Sequence, residues 1–226
     1  MNDYKLTLWN RFCDKHKIAD TGVPLFSINN NSVNIVEIGK IKRRYVLQRS
    51  PQMEKLVISE VKKVLDDFNA GTERYEGLIY MMYRIDSGQI VPLYIGKSEK
   101  YGKKGGNLSV NIEKIERNKG KFCRWGHQYD YHIGDLSAIV CNGHPVEKQR
   151  IKYRKWADKL FKNYPSDAPC LKYPVYFWMN AWEKGGIGIW EDFGSTNLTF
   201  LEYLLIGVAS DLFPKDLLND EGVNRS

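Results

Sequence analysis

The chain has 226 residues, a formal net charge of +7 and 13% aromatic residues. That length suits one domain, or a compact domain with a substantial extension, and is enough to bury a core without disulfides or metals. The aromatic content excludes a disordered chain, no run reaches the apolar length of a membrane span, and the opening residues MNDYKLTLWNRFCDKHK lack the apolar run of a signal peptide, so a soluble, cytoplasmic protein is expected.

Residues 1–72 read as an N-terminal extension with strands and an amphipathic helix. Within it, 33–49 (VNIVEIGKIKRRYVLQR) is rich in β-branched residues and predicts one or two strands. A helix follows Pro51, because Met53, Leu56, Val57, Val61, Val64, Leu65 and Phe68 recur at helical spacing before Gly71 stops it. Residues 77–98, GLIYMMYRIDSGQIVPLYIGKS, predict a β-hairpin. With its turn centred on Ser87, Tyr80 and Tyr94 become direct cross-strand neighbours on one face. Such a pair serves as aromatic core or faces a ligand; Gly96 followed by Lys97 brings a bare backbone and a cation beside it. Residues 101–120 predict a mobile, lysine-rich loop with one helical stretch, and 122–140 a helix ending near Gly134. Residues 146–163 predict a basic helix and 173–182 (YPVYFWMNAW) a buried strand. A last helix opens at Thr199, with a stripe of Leu201, Leu204, Leu205, Val208, Ala209 and Leu212, and ends at Pro214. Helices on a small, mostly antiparallel sheet make the fold class α+β.

Charge is concentrated along this order. Residues 40–63 carry a net +6, 97–124 a net +6 and 146–163 a net +5, which leaves −10 for the rest. Three basic segments on an acidic background point to a polyanion, and nucleic acid fits best. The basic strands at 33–49 are a possible DNA-facing element. The four cysteines, Cys13, Cys123, Cys141 and Cys170, show no CxxC and suit free thiols. Cys123 with His127 and Cys141 with His144 offer four potential zinc ligands, but at a spacing that matches no common finger.

Leu78-Ile79-Tyr80 followed by Tyr94-Ile95-Gly96 resembles the signature of the GIY-YIG nucleases, with Leu78 where the first motif has glycine and Gly77 one place earlier. An arginine after the second motif and a glutamate early on a later helix continue the resemblance, which covers roughly 76–220. It implies a GIY-YIG-like catalytic domain over 73–226, with insertions at about 101–120 and 143–170. It further implies hydrolysis of DNA phosphodiesters with one Mg2+ (or Mn2+). By similarity Tyr80 is the general base or positions the water, its pKa lowered by a cation such as Lys97 or the metal. Tyr94 lines the same pocket, Arg124 is the helix arginine that binds phosphate, and Glu202 is the metal ligand. His132, with His127 behind it, is the candidate catalytic histidine. Lys97 contacts phosphate or tunes Tyr80, while Lys103, Lys104, Lys121 and Asn219 contact DNA. For Glu202 a purely structural role stands beside the metal role, because Thr199-x-x-Glu202 matches a capping box. The long extension and basic insertions look most like a restriction endonuclease of this family acting on double-stranded DNA, dimeric if its site is palindromic. A structure-specific repair or recombination nuclease, or a non-catalytic nucleic-acid-binding protein retaining the fold, are the alternatives.

Overall fold

The computed structural model describes residues 2–39, 43–103 and 105–223. Helices α1 (Asn2–Lys15) and α2 (Ile18–Thr21) precede four short strands, β1 (Val23–Pro24), β2 (Ile28–Asn29), β3 (Ser32–Val33) and β4 (Ile35–Ile38). Strand β5 (Arg44–Leu47) pairs antiparallel with β4, giving the two strands expected in 33–49. Helix α3 (Pro51–Asn69) follows the sequence expectation: the Ser50 hydroxyl accepts from the Met53 N–H at 2.9 Å, Pro51 occupies the first turn, and Gly71 adopts φ +68° beyond the end.

The long strands β6 (Tyr75–Asp86) and β7 (Gln89–Glu99) form the hairpin. Helices α4 (His132–Val140) and α5 (Ile151–Leu160) come next, then strand β8 (Tyr176–Glu183) and helix α6 (Leu198–Leu212). The main sheet is antiparallel in the order β1-β8-β6-β7, which makes β7 an edge. Strand alternation splits its side chains between two cores. Leu78, Tyr80, Met82, Phe177 and Met179 pack with α3, α4 and α5; Ile79, Met81, Tyr83, Ile95 and Trp178 pack with α1 and α6. Residues 1–72 are built into both layers: β1 extends the sheet, α3 covers one face, and Trp9 of α1 lies buried on the other, donating to the Ile90 carbonyl at 3.0 Å. Among the described residues no helix is long and apolar enough to cross a membrane.

The hairpin register differs from expectation. Ser87 (φ 49°) and Gly88 (φ 83°) form a two-residue turn, which pairs Asp86 with Gln89 and Tyr83 with Pro92. The register then shifts, so that Met82 faces Tyr94 and Leu93 is the extra residue of a bulge beside Pro92. The bulge moves Tyr94 onto the face of Tyr80. The two phenols are diagonal neighbours, ring centroids 6.4 Å apart, and Gly96 is the residue opposite Tyr80. A Cβ on Gly96 would lie 2.7–2.9 Å from the Tyr80 ring, so the glycine makes room for that ring rather than for a ligand. Gly96→Ala is expected to cost about 1–3 kcal/mol in urea denaturation, by forcing the ring aside.

Two loop expectations are corrected. No α-helix lies within 101–120 among the described residues; turns pinned by the buried Ile112 and Ile115 fill it. The predicted helix ending near Gly134 instead begins at His132, because Phe122, Cys123 and Arg124 all take positive φ (28°, 50° and 71°) and cannot continue an α-helix. Gly134 sits in the first turn of α4, where a Cβ would strike the Gln128 carbonyl.

Candidate active site

As an edge strand, β7 leaves backbone groups without a sheet partner. The C-terminal segment covers two of these positions. The Leu218 N–H donates to the Leu93 carbonyl at 2.8 Å, and the Asn219 amide brackets Ile95, accepting from its N–H at 3.0 Å and donating to its carbonyl at 2.8 Å. Asn219 is buried in this bracket, which makes it a support for the strand beside Tyr94 and Gly96 rather than a residue facing DNA. The backbone of Lys97, further along the edge, lies near enough to the Glu202 carboxylate to favour its charged form.

Helix α6 places that carboxylate. Its N-cap is Asn197, whose side chain accepts from the Phe200 N–H at 2.9 Å, and Glu76 takes the Leu198 N–H at 2.6 Å. Thr199 is therefore already inside the helix, its hydroxyl turned to Glu99 at 3.3 Å, and Glu202 lies beyond the capping turn. The capping-box reading is overturned. Asn197→Ala should cost about 1 kcal/mol by thermal denaturation, while Thr199→Ala should stay within about 0.5 kcal/mol.

Glu202 is half-buried, and among the described residues no lysine or arginine nitrogen lies within 4.0 Å of its carboxylate. Burial raises its pKa, Lys97 opposes that, and the nearby Glu99 and Glu221 add to the rise. A desolvated carboxylate without an ion-pair partner fits a hard divalent cation, which binds oxygen and keeps most of its waters. Among the described residues no three His, Cys, Asp or Glu side chains converge to hold a metal by themselves.

The other sequence candidates gather around the same edge. Glu202 and Arg124 both act electrostatically on Tyr80 and Tyr94, from opposite signs. Burial, then the neighbouring Tyr94, holds the Tyr80 phenol well above 10, against the pull of Arg124. Tyr94 is pushed up to about 12, by burial first and Glu202 second. In the protein alone burial thus raises both phenols, opposite to the lowering expected at Tyr80, and as neutral groups they can donate hydrogen bonds. Lys97 forms an ion pair with Glu99. Arg124 stands on a single 3-10 turn rather than the expected helix, is exposed, and lies 5.6 Å from the Tyr131 ring. It shares a groove of about 500 Å3 with Lys97, Lys103 and Tyr131.

His132 contacts the site through its ring. It is buried, its centroid lies 4.9 Å from Tyr94 and 5.2 Å from Trp156, and its Nδ1 meets the Tyr153 hydroxyl at 2.8 Å. Burial, then Lys152 and Arg124, holds it well below 6.5, so it is neutral and supports Tyr94. His127 faces elsewhere, lining a small cavity with Val36, Ile38, Arg49 and Glu54. His144 spends both ring nitrogens, on the Tyr129 hydroxyl at 3.0 Å and the Tyr45 carbonyl at 2.6 Å, and is not available for zinc with Cys141. Lys121 is half-buried at the start of the 122–124 turn, and Lys104 lies outside the described residues.

Sequence reasoning missed Lys152, whose ammonium lies 5.2 Å from the Tyr94 ring centroid and is held by Asp220 at 4.0 Å. The basic run at 146–163 carried that signal without saying which lysine turns inward. It also missed Asp135, whose buried carboxyl accepts the Asp130 N–H at 2.9 Å and is pushed up to about 6 by burial, against Arg124 and Lys148. No protein-family model, no curated protein and no solved structure matches the chain.

Proposed function

We propose that this protein is a magnesium-dependent DNA endonuclease with a GIY-YIG-type site, acting as a site-specific restriction endonuclease on double-stranded DNA. One observation supports the reading above the others: residues far apart in sequence, chosen for one chemistry, cluster at one sheet edge. Arg124 and Glu202 both lie within electrostatic reach of Tyr80 and Tyr94, Lys97 acts on Glu202, and His132 packs on Tyr94. Glu202 would hold the divalent ion, which supplies charge at the phosphate and acidifies water. Arg124, exposed and beside the groove, binds phosphate oxygens through its planar fork and neutralises charge that builds in the transition state. Tyr80 and Tyr94, kept neutral by burial, donate hydrogen bonds that orient the attacking water and the scissile phosphate. Lys97 offsets the carboxylates of Glu99 and Glu202 so that an anionic substrate can approach. Residues 107–111 line the groove with Lys97 and Arg124, a surface that suits contacts along a duplex. A two-fold symmetric site would then be cut by two copies.

Purified protein should convert supercoiled plasmid to discrete bands with Mg2+ and leave it intact with EDTA. A smear, or cutting confined to branched DNA, would favour the repair alternative. Intact plasmid at saturating protein and Mg2+ would reduce the protein to a binder.

A further inference from the structure

Among the described residues many cations are held by carboxylates, including Arg43 by Glu37, Arg150 by Asp130 and Lys155 by Asp220. Lys103, Arg124, Lys148 and Arg44 are among the described cations with no carboxylate oxygen within 4.0 Å. They form a connected row. Lys103 and Arg124 line the same groove. Arg124 and Lys148 both act on the buried carboxyl of Asp135 without reaching ion-pair distance. Lys148 and Arg44 then flank one ring, with Lys148 Nζ 5.5 Å and Arg44 Cζ 4.5 Å from the centroid of Tyr129.

The far end of this row is braced rather than loose. The Tyr129 hydroxyl meets His144 Nδ1, and His144 Nε2 meets the Tyr45 carbonyl, which ties the loop carrying Lys148 to strand β5. Stacking on Tyr129 holds the Arg44 guanidinium before any ligand arrives, so less side-chain freedom is lost when it binds an anion. Cations that are partly ordered yet lack acidic partners complement an anion. Their arrangement from the groove out to the Tyr129 ring, beyond a single cavity, suits a polymer and not a small molecule.

We propose that the row Lys103–Arg124–Lys148–Arg44 is the docking surface for the sugar–phosphate backbone of a DNA duplex. It carries the duplex from the groove beside Arg124 out to the β4–β5 hairpin. The choice of DNA rests on the endonuclease reading; the row itself rests on the contiguity of these cations through the groove, Asp135 and the Tyr129 ring. Arg44 and Lys148 then act as phosphate contacts remote from the reacting bond.

The test is the affinity for a short DNA duplex as a function of salt, measured in EDTA so that cleavage does not interfere. Each phosphate contact contributes about 0.9 to the slope of log K against log salt. The Arg44→Gln/Lys148→Gln double variant should bind more weakly and flatten the slope by about 2. Arg44→Lys with Lys148→Arg should keep the slope. Arg11→Ala removes an exposed cation from α1 on the other face of the sheet and should leave the slope unchanged. The proposal is overturned if the double variant keeps the wild-type slope, if Arg11→Ala flattens it as much, or if RNA of equal length binds with the same affinity and the same loss. Wild type that cleaves plasmid with an unchanged slope in the double variant removes this surface alone. A flattened slope with no cleavage by wild type removes the endonuclease reading alone.

Discussion

Glu202→Ala is expected to lower Mg2+-dependent cleavage of duplex DNA by at least about a thousandfold while leaving DNA affinity in EDTA nearly unchanged. The carboxylate is half-buried beside Lys97 with no cationic partner within 4.0 Å among the described residues, so its removal takes away the proposed anchor for the ion and breaks no ion pair. The same geometry fixes the stability result. Glu202 does not cap α6, since Asn197 and Glu76 hold the first turn. Its carboxylate is disfavoured by burial and by Glu99 and Glu221. Thermal denaturation should therefore find the variant as stable as wild type or slightly more so, the pattern of a group retained for function at some cost to folding. A fall of several degrees in Tm with cleavage retained would return Glu202 to a structural role.

The largest stability effect is expected away from the chemistry. Lys100 and Asp67 are both almost fully buried, with Lys100 Nζ 2.8 Å from Asp67 Oδ2 and from the Thr72 carbonyl. Asp67 also accepts the Arg74 and Tyr75 N–H groups, each at 3.0 Å, so this pair ties the end of α3 to the start of β6 and the end of β7. Those are the two strands that carry Tyr80 and Tyr94. Lys100→Met leaves a buried carboxylate without its cation and should cost about 3–5 kcal/mol.

The cost should depend on pH. Burial raises the Asp67 carboxyl, but Lys100, Thr72, Tyr75 and Arg74 together outweigh burial and hold it well below the usual carboxylate range. A folded-state pKa below the unfolded value of about 3.9 gives stability that is present above about pH 4 and lost as pH falls below it. Urea denaturation from neutral to acid pH should show the Lys100→Met deficit largest near neutrality and shrinking below about pH 4. A deficit that stays constant into acid would mean that lost packing, not the ion pair, explains the effect.

Much of the fold was legible because apolar spacing decides it. Helices α3 and α6 and strand β8 follow their stripes, and the hairpin follows its two β-rich runs. The register was not legible, because it depends on a two-residue turn and on a bulge at Leu93, neither of which changes the count of apolar residues. The start of α4 was hidden for a related reason: Phe122, Cys123 and Arg124 are not residue types that announce positive φ, yet all three adopt it. Thr199 and Glu202 have the spacing of a capping box, yet Asn197, two residues earlier, wins the position by reaching the Phe200 N–H.

At the site, residue types and order located the cluster, whereas individual roles depended on burial. The spacing that picks out Tyr80 carries no sign of the burial that raises its pKa, and nothing in the sequence shows that the His132 ring packs among Tyr94, Trp125 and Trp156. Asn219 could not be read at all from spacing. Its partner Ile95 is 124 residues away, and the contact exists only because the C-terminal segment returns to the edge of β7.

The most direct measurement of the central claim is single-turnover cleavage of a plasmid by wild type, Arg124→Ala and Glu202→Ala, at saturating protein with and without Mg2+. Wild type should cut only with Mg2+, and both variants should bind the plasmid and leave it uncut over the same time. Cleavage retained by either variant, or no cleavage by wild type, would contradict a phosphodiester-cleaving site at the edge of β7.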